Sequence, residues 1–316
     1  MSRVAAIDCG TNSIRLLIAD LLTAPDGSRQ LRDVHREMRV VRLGQGIDTT
    51  GNFAVEALDR TFTAVDAYAQ LIRENAVETV RFVATSATRD AGNRDAFIDG
   101  IRSRLGVSPD VVSGEEEAAL SYSGAVSVLP GAPGESTLVV DLGGGSTEFV
   151  IGDGARVEAA RSVNMGCVRF TERYLRSDPP TAEELMAAAE EANRIIAEVA
   201  EQIPLSQVQR VIGVAGTITT VSAHALRLPS YQSERINGST LSFEQLQEAA
   251  DSLTAMSRAE RAELPYMHSG RVDVIGAGAL LWGTILRNLA ELSAGALRQA
   301  TASEHDILDG IALSMG

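Results

Sequence analysis

Two short segments carry residues suited to gripping phosphate. They are Asp8-Cys-Gly10-Thr11-Asn12-Ser13 and Asp141-Leu-Gly143-Gly144-Gly145-Ser146. The second follows the first at a constant offset: Asp8 matches Asp141, Gly10 matches Gly143, Ser13 matches Ser146 and Asp20 matches Asp153. Each lies between two apolar runs and reads as strand, tight polar turn and returning strand. Glycines let a turn's main chain approach a ligand, and successive turn amides can face an anion together. Thr11, Asn12 and Ser13, with Gly143, Gly144, Gly145 and Ser146, are therefore the candidate phosphate-binding residues. Asp141 and Glu148 stand at i and i+7, which puts them on adjacent strands at one mouth of a hairpin. Hard carboxylate oxygens there suit Mg²⁺, which keeps several waters and bridges phosphate oxygens. Asp8 is the counterpart of Asp141 and a further candidate metal contact, although Asp in a turn can also simply accept turn amides.

Two other places offer chemistry. Glu115, Glu116 and Glu117 open an apparent helix after Ser113. One of them could be a general base, or all three could favour the helix macrodipole; the sequence does not choose. Arg89 follows Thr85-Ser86 after a short apolar run, either as a phosphate contact or as an ordinary ion-pairing arginine.

Composition excludes several classes. The 316 residues carry a formal charge of −14, which argues against bulk electrostatic binding to nucleic acid or an anionic membrane. All 28 basic residues are arginine, so Schiff-base, Walker-A and general-base lysine chemistry is ruled out. Any side-chain cation on a phosphate must be the planar fork of arginine. Cys9 and Cys167 are too few for a disulfide framework or a thiolate metal site. There is no charged leader with an apolar stretch and no long apolar run, so a cytoplasmic location without membrane partners is expected.

The elements that must hold these residues read as α/β. The first part gives strands at 3–9, 14–20 and 33–43, a helix over 54–73 with Val55, Leu58, Phe62, Val65, Tyr68, Ala69 and Ile72 on one face, a strand at 79–84, a helix at 93–105, a strand at 110–112 and a helix from 113 to about 129. Residues 130–135 are turn-rich and form the expected boundary. The second part gives the repeated hairpin, strands at 156–162 and 211–214, and a polar turn beginning at Gly216-Thr217. Helices are expected behind Thr181-x-x-Glu184, Ser242-x-x-Gln245, Ser257-x-x-Glu260 and Ser303-x-x-Asp306, and over 273–292. The repeat implies one lobe from 1–128 plus 300–316 and another from 129–299.

The two hairpins resemble the phosphate loops of the actin, sugar-kinase and heat-shock-chaperone ATPase superfamily, and Val211–Thr219 resembles its third, nucleotide-side loop. Within that superfamily, Ile7–Arg15, Ala84-Thr-Ser-Ala-Thr-Arg89, Ser113-Gly-Glu-Glu-Glu-Ala118 and Val140–Glu148 are similar to motifs of the exopolyphosphatase / guanosine-pentaphosphate phosphohydrolase family, in family order. The resemblance implies two ribonuclease H-like domains with mixed sheets facing across a cleft. It implies hydrolysis of terminal phosphoanhydride bonds of inorganic polyphosphate, or of guanosine pentaphosphate, with Mg²⁺, or Mn²⁺ in its place. It places the base at Glu117, and adds Arg89, Thr85, Ser86, Gly216 and Thr217 as phosphate contacts. Homodimers are implied as possible. A small-molecule kinase and a non-catalytic sensor are the alternatives within the fold.

Overall fold

The computed structural model describes residues 2–24 and 27–315. It divides into two compact units, Met1–Ser127 with Asp306–Gly316, and Val128–His305. The first contains β1 (Ser2–Cys9), β2 (Ser13–Thr23), β3 (Arg29–Val40), α1 (Ile47–Thr50), α2 (Val55–Glu74), β4 (Thr79–Ala84), α3 (Ser86–Asp90), α4 (Arg94–Leu105), β5 (Asp110–Val111) and α5 (Gly114–Val128). The second contains β6 (Thr137–Leu142), β7 (Thr147–Asp153), β8 (Arg156–Val163), α6 (Cys167–Tyr174), α7 (Ala182–Gln202), β9 (Arg210–Val214), α8 (Ala215–Ala225), α9 (Ser233–Ile236), β10 (Thr240–Ser242), α10 (Phe243–Ala255), α11 (Arg258–Ala262), α12 (Ile275–Leu292) and β11 (Gln299–Ala302). The chain then returns to the first unit with α13 (Ile307–Leu313).

The first sheet runs β3-β2-β1-β4-β5, with β1, β2 and β3 antiparallel and β4 and β5 parallel to β1. Alternation along β1 explains why it is covered on both faces. Ala5, Ile7 and Cys9 pack with Val65 and Tyr68 of α2 and Phe97 of α4. Val4 and Ala6 pack with Leu120 of α5 and Ile307 and Ile311 of α13. Val55, expected on the buried face of α2, is 69% exposed because it is the helix's first residue and lies outside the packed turns.

The second sheet repeats the order as β8-β7-β6-β9-β11 and adds β10 at its edge. The repetition reaches the level of register. Asp8 faces Arg15 across β1–β2, and Asp141 faces Glu148 across β6–β7. Each middle strand also shifts register at the matching place, between Ile18 and Ala19 and between Ile151 and Gly152. The capping boxes at Thr181, Ser242 and Ser257 form with both halves in place.

Two expectations change. Gly216-Thr217 is no open turn: the chain passes from β9 straight into α8. Ser303 does not open the last helix, because residues 299–302 are a strand paired with β9 and β10. Asp306 caps α13, in a box closed by Asp309. The return to the first unit thus falls at Asp306 and not at residue 300. Helices α5 and α13 meet backbone to backbone. A Cβ on Gly124 would lie 1.8 Å from the Asp306 carbonyl oxygen, and one on Gly310 would lie 1.9 Å from that of Leu120.

Candidate functional site

In the first unit, the turn between β1 and β2 is pulled from behind. Gly10 N–H donates to the Ser13 carbonyl (3.0 Å), Gly44 N–H to Thr11 O (2.8 Å), and Val41 and Arg42 N–H to Asn12 O (3.1 and 2.8 Å). In a planar trans peptide the N–H points opposite to the C=O. Fixing the Thr11 and Asn12 carbonyls backward therefore turns the Asn12 and Ser13 amides outward, the arrangement of an anion nest.

The loop of the second unit is built alike. Gly143 N–H donates to Ser146 O (3.0 Å), and the first amides of α6 hold the carbonyls of Gly143 (Cys167, 3.0 Å) and Gly144 (Val168, 2.9 Å; Arg169, 3.2 Å). The Arg169 Nε holds Gly145 O at 2.8 Å. The amides of Gly144, Gly145 and Ser146 are directed the other way by the same peptide geometry. This contact requires Gly166, whose substituted Cβ would lie 2.3 Å from Gly144 O. Gly166→Ala is therefore expected to displace the loop, raising KM for a phosphate substrate at least tenfold while the far-ultraviolet circular dichroism is retained; unchanged KM would mean that the loop does not bind phosphate.

Of the three glutamates opening α5, Glu115 and Glu116 are exposed and Glu117 is buried. Glu116 accepts from Arg81 Nη2 at 2.7 Å. Glu117 Oε2 accepts from Arg89 Nη1 at 2.6 Å, and the same nitrogen donates to the Val112 carbonyl at 3.1 Å. Burial pushes the Glu117 carboxyl above the usual glutamate range; Arg89 and a hydrogen bond from the Thr85 hydroxyl work against that, and the nearby Asp8 adds to it. Thr85 and Ser86, expected at phosphate, are both buried, with Thr85 turned to Glu117. Asp8 gives its Oδ2 to Arg15, from Nε at 2.9 Å and Nη2 at 2.7 Å, and Arg15 Nη1 reaches Asp306. Burial raises the Asp8 pKa, with Arg15 opposing.

Asp141 differs from Asp8 in what stands opposite. Where β2 has Arg15, β7 has Glu148, so two buried carboxylates (6% and 1% exposed) face each other. Ser162 Oγ donates to Glu148 Oε1 at 2.7 Å. Two carboxylates side by side supply the hard oxygen donors that a divalent cation such as Mg²⁺ takes. The pair fits Mg²⁺, which uses one or two carboxylates and completes its shell with water and phosphate oxygens.

Gly216 and Thr217 lie in the first turn of α8, behind Ala215, which holds a left-handed φ of 74°. A Cβ on Gly216 would lie 2.3 Å from Arg271 Nη2, and Arg271 Nη1 donates to Thr220 Oγ1 at 3.2 Å. Sequence reasoning missed Arg271; its only local signal is an arginine shortly before a helix. Cys167 packs against the same region, its thiol pushed up to about 11 by burial, so it is no nucleophile at neutral pH. Among the described residues, no group of three or more His, Cys, Asp or Glu is arranged to hold a metal.

Duplicated α/β units with mixed sheets, each led by a glycine-containing hairpin, define an actin-like ATPase type of fold. The model of the Ppx/GppA phosphatase family matches residues 23–315, and the chain belongs to that family. It is 48% identical over 320 residues to "Exopolyphosphatase 2" of Mycobacterium tuberculosis, covering 100% of this chain and 99% of that one. Among solved structures, an exopolyphosphatase-like protein is 44% identical with a TM-score of 0.93, covering 100% of this chain and 98% of the other. The Ppx/GppA family member of Aquifex aeolicus is 30% identical with a TM-score of 0.80, covering 99% and 97%.

Proposed function

We propose that this chain is an exopolyphosphatase, removing terminal orthophosphate from inorganic polyphosphate. The observation that carries the reading is Glu117: a buried carboxylate beside an arginine and a hydroxyl in the first unit. Its full-length likeness to an exopolyphosphatase supports the substrate class.

Glu117 accepts a proton from water as the water oxygen bonds to the terminal phosphorus. The bond from that phosphorus to the bridging oxygen breaks, and the shortened chain leaves with the electron pair. Arg89 offsets negative charge on the phosphoryl group, and the outward amides of Asn12 and Ser13 hold phosphate oxygens. In the second unit, Asp141 and Glu148 would hold Mg²⁺, which when bound would supply positive charge suited to phosphate oxygens. Asp8, paired with Arg15, keeps that part of the first hairpin ordered.

The test is phosphate release by the purified chain, with polyphosphate, guanosine pentaphosphate and ATP as parallel substrates. Release from polyphosphate is expected. Release from guanosine pentaphosphate alone would move the assignment to the nucleotide phosphohydrolase reading, and ATP-dependent phosphorylation of an acceptor would move it to a kinase. Asp141→Asn is expected to raise the Mg²⁺ concentration for half-maximal activity by at least tenfold; an unchanged metal requirement would remove Asp141 from the metal site.

A further inference from the structure

Arg169 is a buried cation, 8% exposed, for which the hydrolytic chemistry above has no use. It stands third in α6, within the turn where a helix leaves its amides without intrahelical partners. From there it holds two successive carbonyls of the glycine loop. Its own N–H donates to Gly144 O at 3.2 Å, and its Nε donates to Gly145 O at 2.8 Å.

The first hairpin is an internal comparison. In the repeat Thr11 matches Gly144 and Asn12 matches Gly145. In the first unit main-chain amides hold both carbonyls: that of Gly44 holds Thr11 O, and those of Val41 and Arg42 hold Asn12 O. In the second unit main-chain amides hold Gly144 O, from Val168 and Arg169, and a side-chain nitrogen takes Gly145 O. A replaceable group thus stands where the first loop uses fixed ones. The residue it holds differs as well. Asn12 carries a side chain that restricts its backbone, whereas Gly145 lacks a Cβ, so the peptide following it can rotate at little steric cost.

The orientation of that peptide decides what the loop presents. In a planar trans peptide, fixing Gly145 O also fixes the Ser146 N–H on the opposite side. Held as it is, the Ser146 amide points the same way as the Gly145 amide, which Gly144 O fixes in turn, and consecutive amides of this kind suit an anion. A rotated peptide would turn the Gly145 carbonyl, the negative end of its dipole, to the side where the anion binds.

We infer that Arg169 is a positioning residue: its Nε–H, acting through Gly145 O, holds the Ser146 amide toward a phosphate substrate. This rests on the reading of the glycine loop as a phosphate site, and it gives Arg169 itself no contact with phosphate. What matters is the donor and its place, not the charge.

Two substitutions separate donor from charge. Glutamine has a neutral N–H donor at the place along the side chain where arginine has Nε, and methionine has a methyl group there. With polyphosphate as substrate for the purified full chain, Arg169→Met is expected to raise KM about tenfold or more, the scale of one hydrogen bond to a charged group, with kcat held within about threefold. Arg169→Gln should bring KM back to within about threefold of the parent. A side chain that only filled the core would lower the melting temperature in both variants and move KM in neither. Thermal melts show whether each variant is folded. Should a neutral residue prevent folding, Arg169→Lys decides: it keeps the charge and moves the nitrogen one bond outward, so KM should rise about threefold or more. Parent KM in Arg169→Met, a glutamine variant as weak as the methionine variant, or parent KM in Arg169→Lys would each overturn the proposal. Gly166→Ala keeps the two failures apart. Raised KM there with parent KM in Arg169→Met would leave a phosphate loop that does not need Arg169, whereas parent KM in both would remove the loop itself from substrate binding.

Discussion

Glu117→Gln lowers kcat for terminal phosphate release by about 10²–10⁴-fold, the contribution of a positioned general base, which is about 3–5 kcal/mol of barrier. The amide is isosteric and can still accept from Arg89, so folding and substrate binding are expected to hold, and KM should change little. The pH dependence follows from the surroundings. Glu117 must be ionised to accept a proton, and burial has moved its pKa upward. Activity should therefore fall as pH drops through a value above that of an ordinary glutamate. The Thr85 hydroxyl favours the carboxylate form, so Thr85→Val should move the acid limb to higher pH. A pH–rate profile of kcat/KM reads this directly. If Glu117→Gln turns over at the parent rate while folded, the base lies elsewhere.

Gly124→Ala and Gly310→Ala should be the most destabilising of the small substitutions. At 1.8 and 1.9 Å from carbonyl oxygens, the new methyl groups meet backbone and not flexible side chains. Relief requires α5 and α13 to separate by roughly 1 Å, beyond what overpacked cores usually absorb at about 1–3 kcal/mol. A loss of about 3 kcal/mol or more lowers the melting temperature by roughly 6–12 °C for a domain of this size. The shift would also move Asp306, which shares Arg15 with Asp8. Melting within about 2 °C of the parent would show that the helix contact yields more easily than its geometry implies.

Much of this could be read in the chain. The hairpins were legible because strand, turn and strand are local, and because the duplication doubles the signal: Asp8 and Asp141, Gly10 and Gly143, Ser13 and Ser146. Three capping boxes were legible for the same reason, since each joins residues three apart. The helix at residue 215 was misread as a turn because Gly216 and Thr217 have turn chemistry, while packing by Arg271 and Gly278 decides the conformation. β11 escaped notice because a four-residue strand has almost no periodicity of its own.

The difference between Asp8 and Asp141 lies midway. Arg15 and Glu148 occupy matching positions in the repeat, so the sequence contains the contrast between an aspartate opposite an arginine and an aspartate opposite a glutamate. Register makes it visible by setting each residue opposite its aspartate.

By itself, the order of residues determined the duplicated α/β plan, the two glycine-containing hairpin turns and the restriction to arginine as cation, because these depend on periodicity, glycine geometry and composition. Only the tertiary structure decided which of three consecutive glutamates is buried, that Arg89 and Thr85 attend it, and that Arg271 lies on Gly216. These depend on contacts between residues tens of positions apart, and burial and charge pairing are properties of the packed chain that no local pattern encodes.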